Sequence, residues 1–261
     1  MCLIALAWHV VPGYSLIVAA NRDEYHARRT APAAFWPQAP ELFGGRDLEE
    51  GGSWMAVTRA GRFSALTNHR DQAPPNSQAR SRGHLVADYL KGGQLPQDYL
   101  GALAPARAQY NGFNLLAGDA DSLGYAGNHD ALAQRLAPGF HALSNARLNT
   151  PWPKTTGLVS DLGSIVGARP DEDRMFEQLF TALAETDTPH DAQLPATGAG
   201  LERERMLAAR KIVAAGYGTR SSSVLAMRAG ASIRFDEISF DQQGRQSGRV
   251  SQIFAPSGAF S

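Results

Sequence analysis

Apolar residues fill positions 3–8 and 16–20, and Pro12-Gly13 falls between the two runs. Two short apolar runs around a turn signal predict a pair of adjacent antiparallel strands. Strand character returns at 53–58 and 62–67 about Arg59-Ala60-Gly61, at 112–117 and 122–125 about a polar turn, and at 140–145. Helical spacing takes over from Ser81, where Leu85, Val86, Tyr89 and Leu90 precede a stop at Gly92-Gly93, and again over 96–108 and 155–166. Over 171–184, three acidic residues sit at the N-terminal end, and Met175, Phe176, Leu179, Phe180 and Leu183 make one apolar face. That pattern suits the helix dipole and an amphipathic helix. Residues 201–215 have helical composition with strand tendency at Ile212-Val213, and strands close the chain at 221–228, 233–240 and 249–254.

Two stretches read as irregular. Residues 25–29 suggest a short helical turn, and Pro32, Pro37 and Pro40 then suggest an extended loop pinned by Phe35 and Trp36. The glycine pairs Gly44-Gly45 and Gly51-Gly52 fit either tight turns or close backbone approach, turns being the commoner cause. Strand blocks at both ends and helices between them predict an α+β layered fold, mainly antiparallel, in one domain over 1–261.

Composition narrows the function. A hydrophobic fraction of 43% with 19% charged residues supports a sizeable core. Lys+Arg and Asp+Glu are both 25 and no basic run appears, which gives no support to nucleic-acid or polybasic membrane binding. No segment reaches the ~18 apolar residues of a membrane span. The apolar N-terminus lacks a preceding basic region and is broken by His9 and Pro12, so the expectation is a cytoplasmic protein without a signal peptide. A single cysteine excludes an internal disulfide framework and a cysteine-rich metal site, and the seven histidines show no metal or haem spacing. No cofactor or metal is expected.

That cysteine is Cys2, and the predicted hairpin returns Asn21-Arg22-Asp23-Glu24 to its neighbourhood. Removal of Met1 would leave an α-amine on the residue that carries the thiol. The amine titrates near ~7.7–8.0 and the thiol near ~8.5, so the amine can act as base for its own side chain. A guanidinium beside it favours the reactive thiolate. Against this stands the common role of a free cysteine as a small buried hydrophobe. Asn68 and Asn145 each end a strand, where asparagine usually makes a turn.

With Cys2, the tetrad, Gly51-Gly52-Ser53-Trp54, Thr67-Asn68, Leu143-Ser144-Asn145, Pro151-Trp152-Pro153-Lys154 and Tyr217-Gly218-Thr219-Arg220 in view, the chain resembles the NRDE family, the transport and Golgi organisation protein 2-like proteins, over almost its whole length. The resemblance implies a four-layer αββα sandwich of the N-terminal-nucleophile hydrolase type, similar to cysteine amidases that cleave penicillin V and conjugated bile salts. On that analogy Cys2 is the nucleophile, and Asn145 and the region of Asn68 form the oxyanion hole. Arg220 would lie beside the thiolate, and Asn21, Arg22, Asp23 and Glu24 would hold the α-amine through either Asp23 or Glu24. The implied function is a cysteine hydrolase or acyltransferase acting on a linear amide or thioester of a small molecule. The alternative is a carrier of haem, acyl-coenzyme A or lipid on the same fold, in keeping with the association of eukaryotic members with haem and lipid metabolism. Two geometric expectations follow: Asn68, Asn145 and Arg220 share one cleft about the sulfur, and only one of Asp23 and Glu24 faces it.

Overall fold

The N-terminal hairpin forms with Gly13 at its turn, where φ is +84°, a value that glycine adopts without steric cost. The computed structural model describes residues 2–71, 74–130 and 132–256, with Cys2 described by its backbone alone. In chain order the elements are β1 (Cys2–Val11), β2 (Tyr14–Tyr25), β3 (Thr30–Trp36), β4 (Ala39–Asp47), β5 (Met55–Thr58), β6 (Phe63–Asn68), α1 (Gly83–Lys91) and α2 (Pro96–Ala102). Next come β7 (Phe113–Gly118), β8 (Leu123–Gly127), β9 (Gln134–Arg135), β10 (Gly139–Leu143), α3 (Pro153–Gly167) and α4 (Glu172–Leu183). The chain closes with α5 (Leu201–Ala208), β11 (Val213–Ala214), β12 (Tyr217–Arg228), β13 (Ile233–Phe240) and β14 (Gln246–Phe254).

The strands make two antiparallel sheets. One runs in the order β10-β1-β2-β12-β13-β14 with β11 beside β12, and the other runs β3 through β9 in sequence order. Alternation along β1 explains the layering. Ile4, Leu6 and Trp8 enter the core between the sheets with Val18, Phe43, Val57, Phe63 and Phe235, while Leu3, Ala5 and Ala7 pack under α3 and α4 with Phe176 and Leu179. Burial on both faces is why the run at 3–8 is continuously apolar. On the opposite side, α1 and α2 cover the second sheet through Leu85, Val86, Tyr89 and Leu100. Each such fully buried side chain contributes about 1.5–3 kcal/mol. The four layers are therefore α, β, β, α.

The structure departs from the sequence reading in four places. Residues 26–28 form a plain turn, not a helical one. The proline-rich stretch is strands β3 and β4, with Pro32 at a register shift between Ala31 and Ala34 and Pro40 ahead of Leu42, where pairing with β5 begins. Prolines at an edge strand or bulge cost no ladder hydrogen bond. Helix α2 stops at Ala102, and Pro105 falls in a 3₁₀ segment instead. Helix α5 ends at Ala208, and Val213 and Ala214 pair with β12 as the strand tendency there suggested. Among the described residues no helix is long and apolar enough to cross a membrane.

Candidate active site at the sheet ends

Strands β1 and β2 place Cys2 opposite Arg22. On the other flank of β1, β10 ends with Leu143 opposite Ile4, so Ser144 and Asn145 continue past that pair on the side of Leu3 and Cys2. The buried Asn145 side chain donates from Nδ2 to the Asn68 carbonyl at 2.7 Å, and its own carbonyl accepts from the Arg70 backbone at 2.8 Å. The structure thus joins Asn68 and Asn145 across the two sheets. The Cys2 sulfur and the processing of Met1 lie outside the described residues.

A buried polar network, not apparent in the sequence, holds this junction. Thr67 Oγ1 donates to the Ser144 carbonyl at 2.5 Å, and Asn114 Nδ2 donates to Thr67 Oγ1 at 3.0 Å and to the Ala146 carbonyl at 2.9 Å. The Tyr125 hydroxyl shares its single proton between Asn114 Oδ1 at 2.8 Å and Asp130 Oδ2 at 2.7 Å. Asn114 lies inside an apolar run, and only its place mid-strand among buried residues signalled a polar task.

Strand alternation separates the members of the tetrad. Asn21 is buried on the helix side of the sheet, where Nδ2 donates to the carbonyls of Leu183 and Arg210, both at 2.8 Å, and Oδ1 accepts from Ser222 at 2.5 Å. It is a positioning residue that ties the helical layer to β2. Asp23, also buried, accepts from Thr219 Oγ1 at 2.6 Å. Burial pushes its carboxyl above the usual range, opposed by Lys154, by the Thr219 hydrogen bond and by Arg22. The buried Lys154 donates to the Leu207 carbonyl at 2.9 Å, which accounts for the lysine of the Pro-Trp-Pro-Lys motif. Glu24 sits at the rim, half-buried, and accepts from the backbone N–H of Tyr25 at 2.9 Å.

Arg22 lies 94% buried with its guanidinium 4.2 Å from the centre of the Trp54 ring. The same ring presses on Gly45, where an added Cβ would come within 2.0 Å of the indole. Gly52 likewise meets Gly83, with an added Cβ at 2.3 Å from its backbone. Close approach, more than turn formation, therefore explains Gly45 and Gly52.

Arg22 and Trp54 both line two cavities. One, of about 220 Å³, is bounded by Glu24, Asp47, Ser53, Asn68 and Arg82. The other, of about 210 Å³, is bounded by Thr30, Arg220, Ser221, Glu237 and Ser239. Glu237 is buried, accepts from the Ala33 N–H at 2.8 Å and from Ser223 at 3.2 Å, and has its carboxyl pushed up by that burial. Arg220 falls at a register shift of β12 and donates to the carbonyls of Tyr25, His26 and Arg28 at 3.0, 3.3 and 3.1 Å. It clamps the β2–β3 turn and lines the second cavity, Asn68 lines the first, and Arg22 and Trp54 line both. Among the described residues one group brings metal-ligating atoms together, His69, Asp71 and His129, beside Asn68.

The family model for Transport and Golgi organisation 2 matches residues 1–242. The bovine Transport and Golgi organization protein 2 homolog is 36% identical, the alignment covering 92% of this chain and 93% of that protein. The human homolog is 34% identical with the same coverages. Among solved structures, a Caenorhabditis elegans ortholog of N-acylethanolamine-hydrolyzing acid amidase superposes with a TM-score of 0.52 at 10% identity, over 86% of this chain and 92% of that one. The fold is that of the N-terminal-nucleophile hydrolases, and the chain belongs to the Transport and Golgi organisation 2 family.

Proposed function

We propose that the protein is an N-terminal-nucleophile cysteine hydrolase that cleaves a linear amide or thioester after Met1 is removed, with Cys2 as nucleophile. The observation that carries this reading is the flanking of the Cys2 backbone by Arg22 on β2 and by the Ser144–Asn145 segment beyond β10. The α-amine takes the thiol proton, the thiolate forms a C–S bond to the acyl carbon, and the carbonyl oxygen becomes an oxyanion. As the oxyanion collapses, the bond to the leaving nitrogen or sulfur breaks and the proton passes to it. Water then cleaves the thioester, releasing the carboxylic acid and restoring the thiol.

One amide hydrogen of Asn145 is used on Asn68, which fixes the direction of the second as an oxyanion donor. Such a preorganised donor lowers the barrier by about 3–4 kcal/mol. Arg22 supplies positive charge that favours the thiolate, and Asp23 with Lys154 fixes the β2 end that positions it. Charged and amide groups around the 220 Å³ chamber suit a substrate with a polar end there.

Intact mass spectrometry together with a panel of acyl thioesters and N-acyl amides tests the reading. The mature protein should lack Met1 and turn over members of one class, and Cys2→Ala should abolish turnover at unchanged melting temperature. Retained Met1, or equal turnover by Cys2→Ala, would exclude the mechanism.

A further inference from the structure

Two loops far apart in sequence meet beside Asn68. His69 Nδ1 lies 2.9 Å from Asp71 Oδ1, and His129 Nε2 lies 2.6 Å from the same oxygen. The imidazoles stack with centroids 3.9 Å apart and planes 29° from parallel. The three donor atoms all fall within 4.8 Å of one another. The backbone fixes this arrangement. His69 N–H donates to the Gly112 carbonyl at 2.9 Å, Arg147 donates to the His129 carbonyl at 2.8 Å, and a Cβ on Gly112 would come within 2.4 Å of the Asp71 carboxylate.

Both imidazoles direct a ring nitrogen at one oxygen of Asp71, the second ring stacked on the first. Two imidazoles and one carboxylate converging on a point are the donor set of a three-ligand zinc-type site.

We propose that His69, Asp71 and His129 bind one divalent transition metal ion of the zinc class, leaving its fourth position to water. Metal–donor bonds of ~2.0–2.1 Å require donors about 3.3 Å apart in a tetrahedral site. The rings and carboxylate therefore spread by several tenths of an ångström on binding, which the 40% exposed side chain of His129 permits. The ion clasps the end of β6 to the loop after β8. Asn68 immediately precedes His69, and Arg70 holds the Asn145 carbonyl, so occupancy stiffens the segment that carries the asparagine pair.

The test is titration of the chelator-treated full chain with Co²⁺, read by visible d–d absorption, followed by displacement with Zn²⁺. One equivalent should bind to the parent and equally to Cys2→Ser, which excludes the thiol as ligand. His129→Ala and His69→Ala should each weaken binding at least tenfold, and Zn²⁺ should raise the melting temperature of the parent but not of His129→Ala. Absence of a saturable Co²⁺ spectrum, unchanged affinity in the double alanine variant, or loss of binding in Cys2→Ser would each overturn the site.

Discussion

At the scale of the residue, Asp23 and Glu24 are neighbours with opposite surroundings. Asp23 is buried on Thr219 under the field of Lys154, whereas Glu24 caps its own following N–H at the rim. Asp23→Ala leaves a buried hydroxyl without its acceptor and should cost about 1–3 kcal/mol, and Glu24→Ala should cost under ~1 kcal/mol. Chemical denaturation of both variants checks this, and equal losses would contradict it. Alternation in a strand made it legible that the two point apart. Which one goes inward was not, because that depends on Thr219 and Lys154, remote in sequence.

Glu237 gives a pH prediction. Burial raises its pKa above the ordinary 4.5, so the folded chain binds more protons than the unfolded one. Its contribution to stability is therefore present below about pH 4.5 and declines as pH rises through the folded-state value. Glu237→Gln removes this decline while keeping an acceptor for Ala33. The melting temperature of the variant relative to the parent should climb between about pH 4.5 and 8, with a constant difference counting against the argument.

At the scale of the element, the junction of β6 and β10 depends on β7. Asn114 is fully buried and bonds Thr67, Ala146 and Tyr125. Asn114→Ala strands these partners, and we expect a loss of at least about 2 kcal/mol, or roughly 5 °C in melting temperature for a chain of this size. A fall below about 1 °C would show that the network does not hold the 144–146 segment. Elements with regular periodicity were legible: the β1–β2 hairpin, the β5–β6 hairpin and the amphipathic helix α4. Strands β3 and β4 were hidden because Pro32, Pro37 and Pro40 are punctuation in sequence, yet each occupies a bulge, a turn or an unpaired position. The packing of Gly45 on Trp54 was equally hidden, since a glycine does not announce what approaches it.

At the scale of the whole molecule, blocks of strands at both ends and helices between them dictated layers, and apolar runs without alternation marked strands covered on both faces. The resemblance carried the count of four layers and the site residues. The placing of Asn68 and Arg220 on two cavities that share Arg22 and Trp54 arises from tertiary packing, which no local pattern encodes. The account rests on Cys2 being an activated thiol, and the chain has no other cysteine, so a single alkylation on the intact protein reports on that residue alone. The direct measurement is the rate of iodoacetamide modification against pH, read by mass. The account predicts reaction at pH 7 faster than a cysteine peptide, with an apparent pKa below ~8.5 that rises in Arg22→Gln. A rate at or below that of the peptide, unaffected by Arg22→Gln, would contradict it.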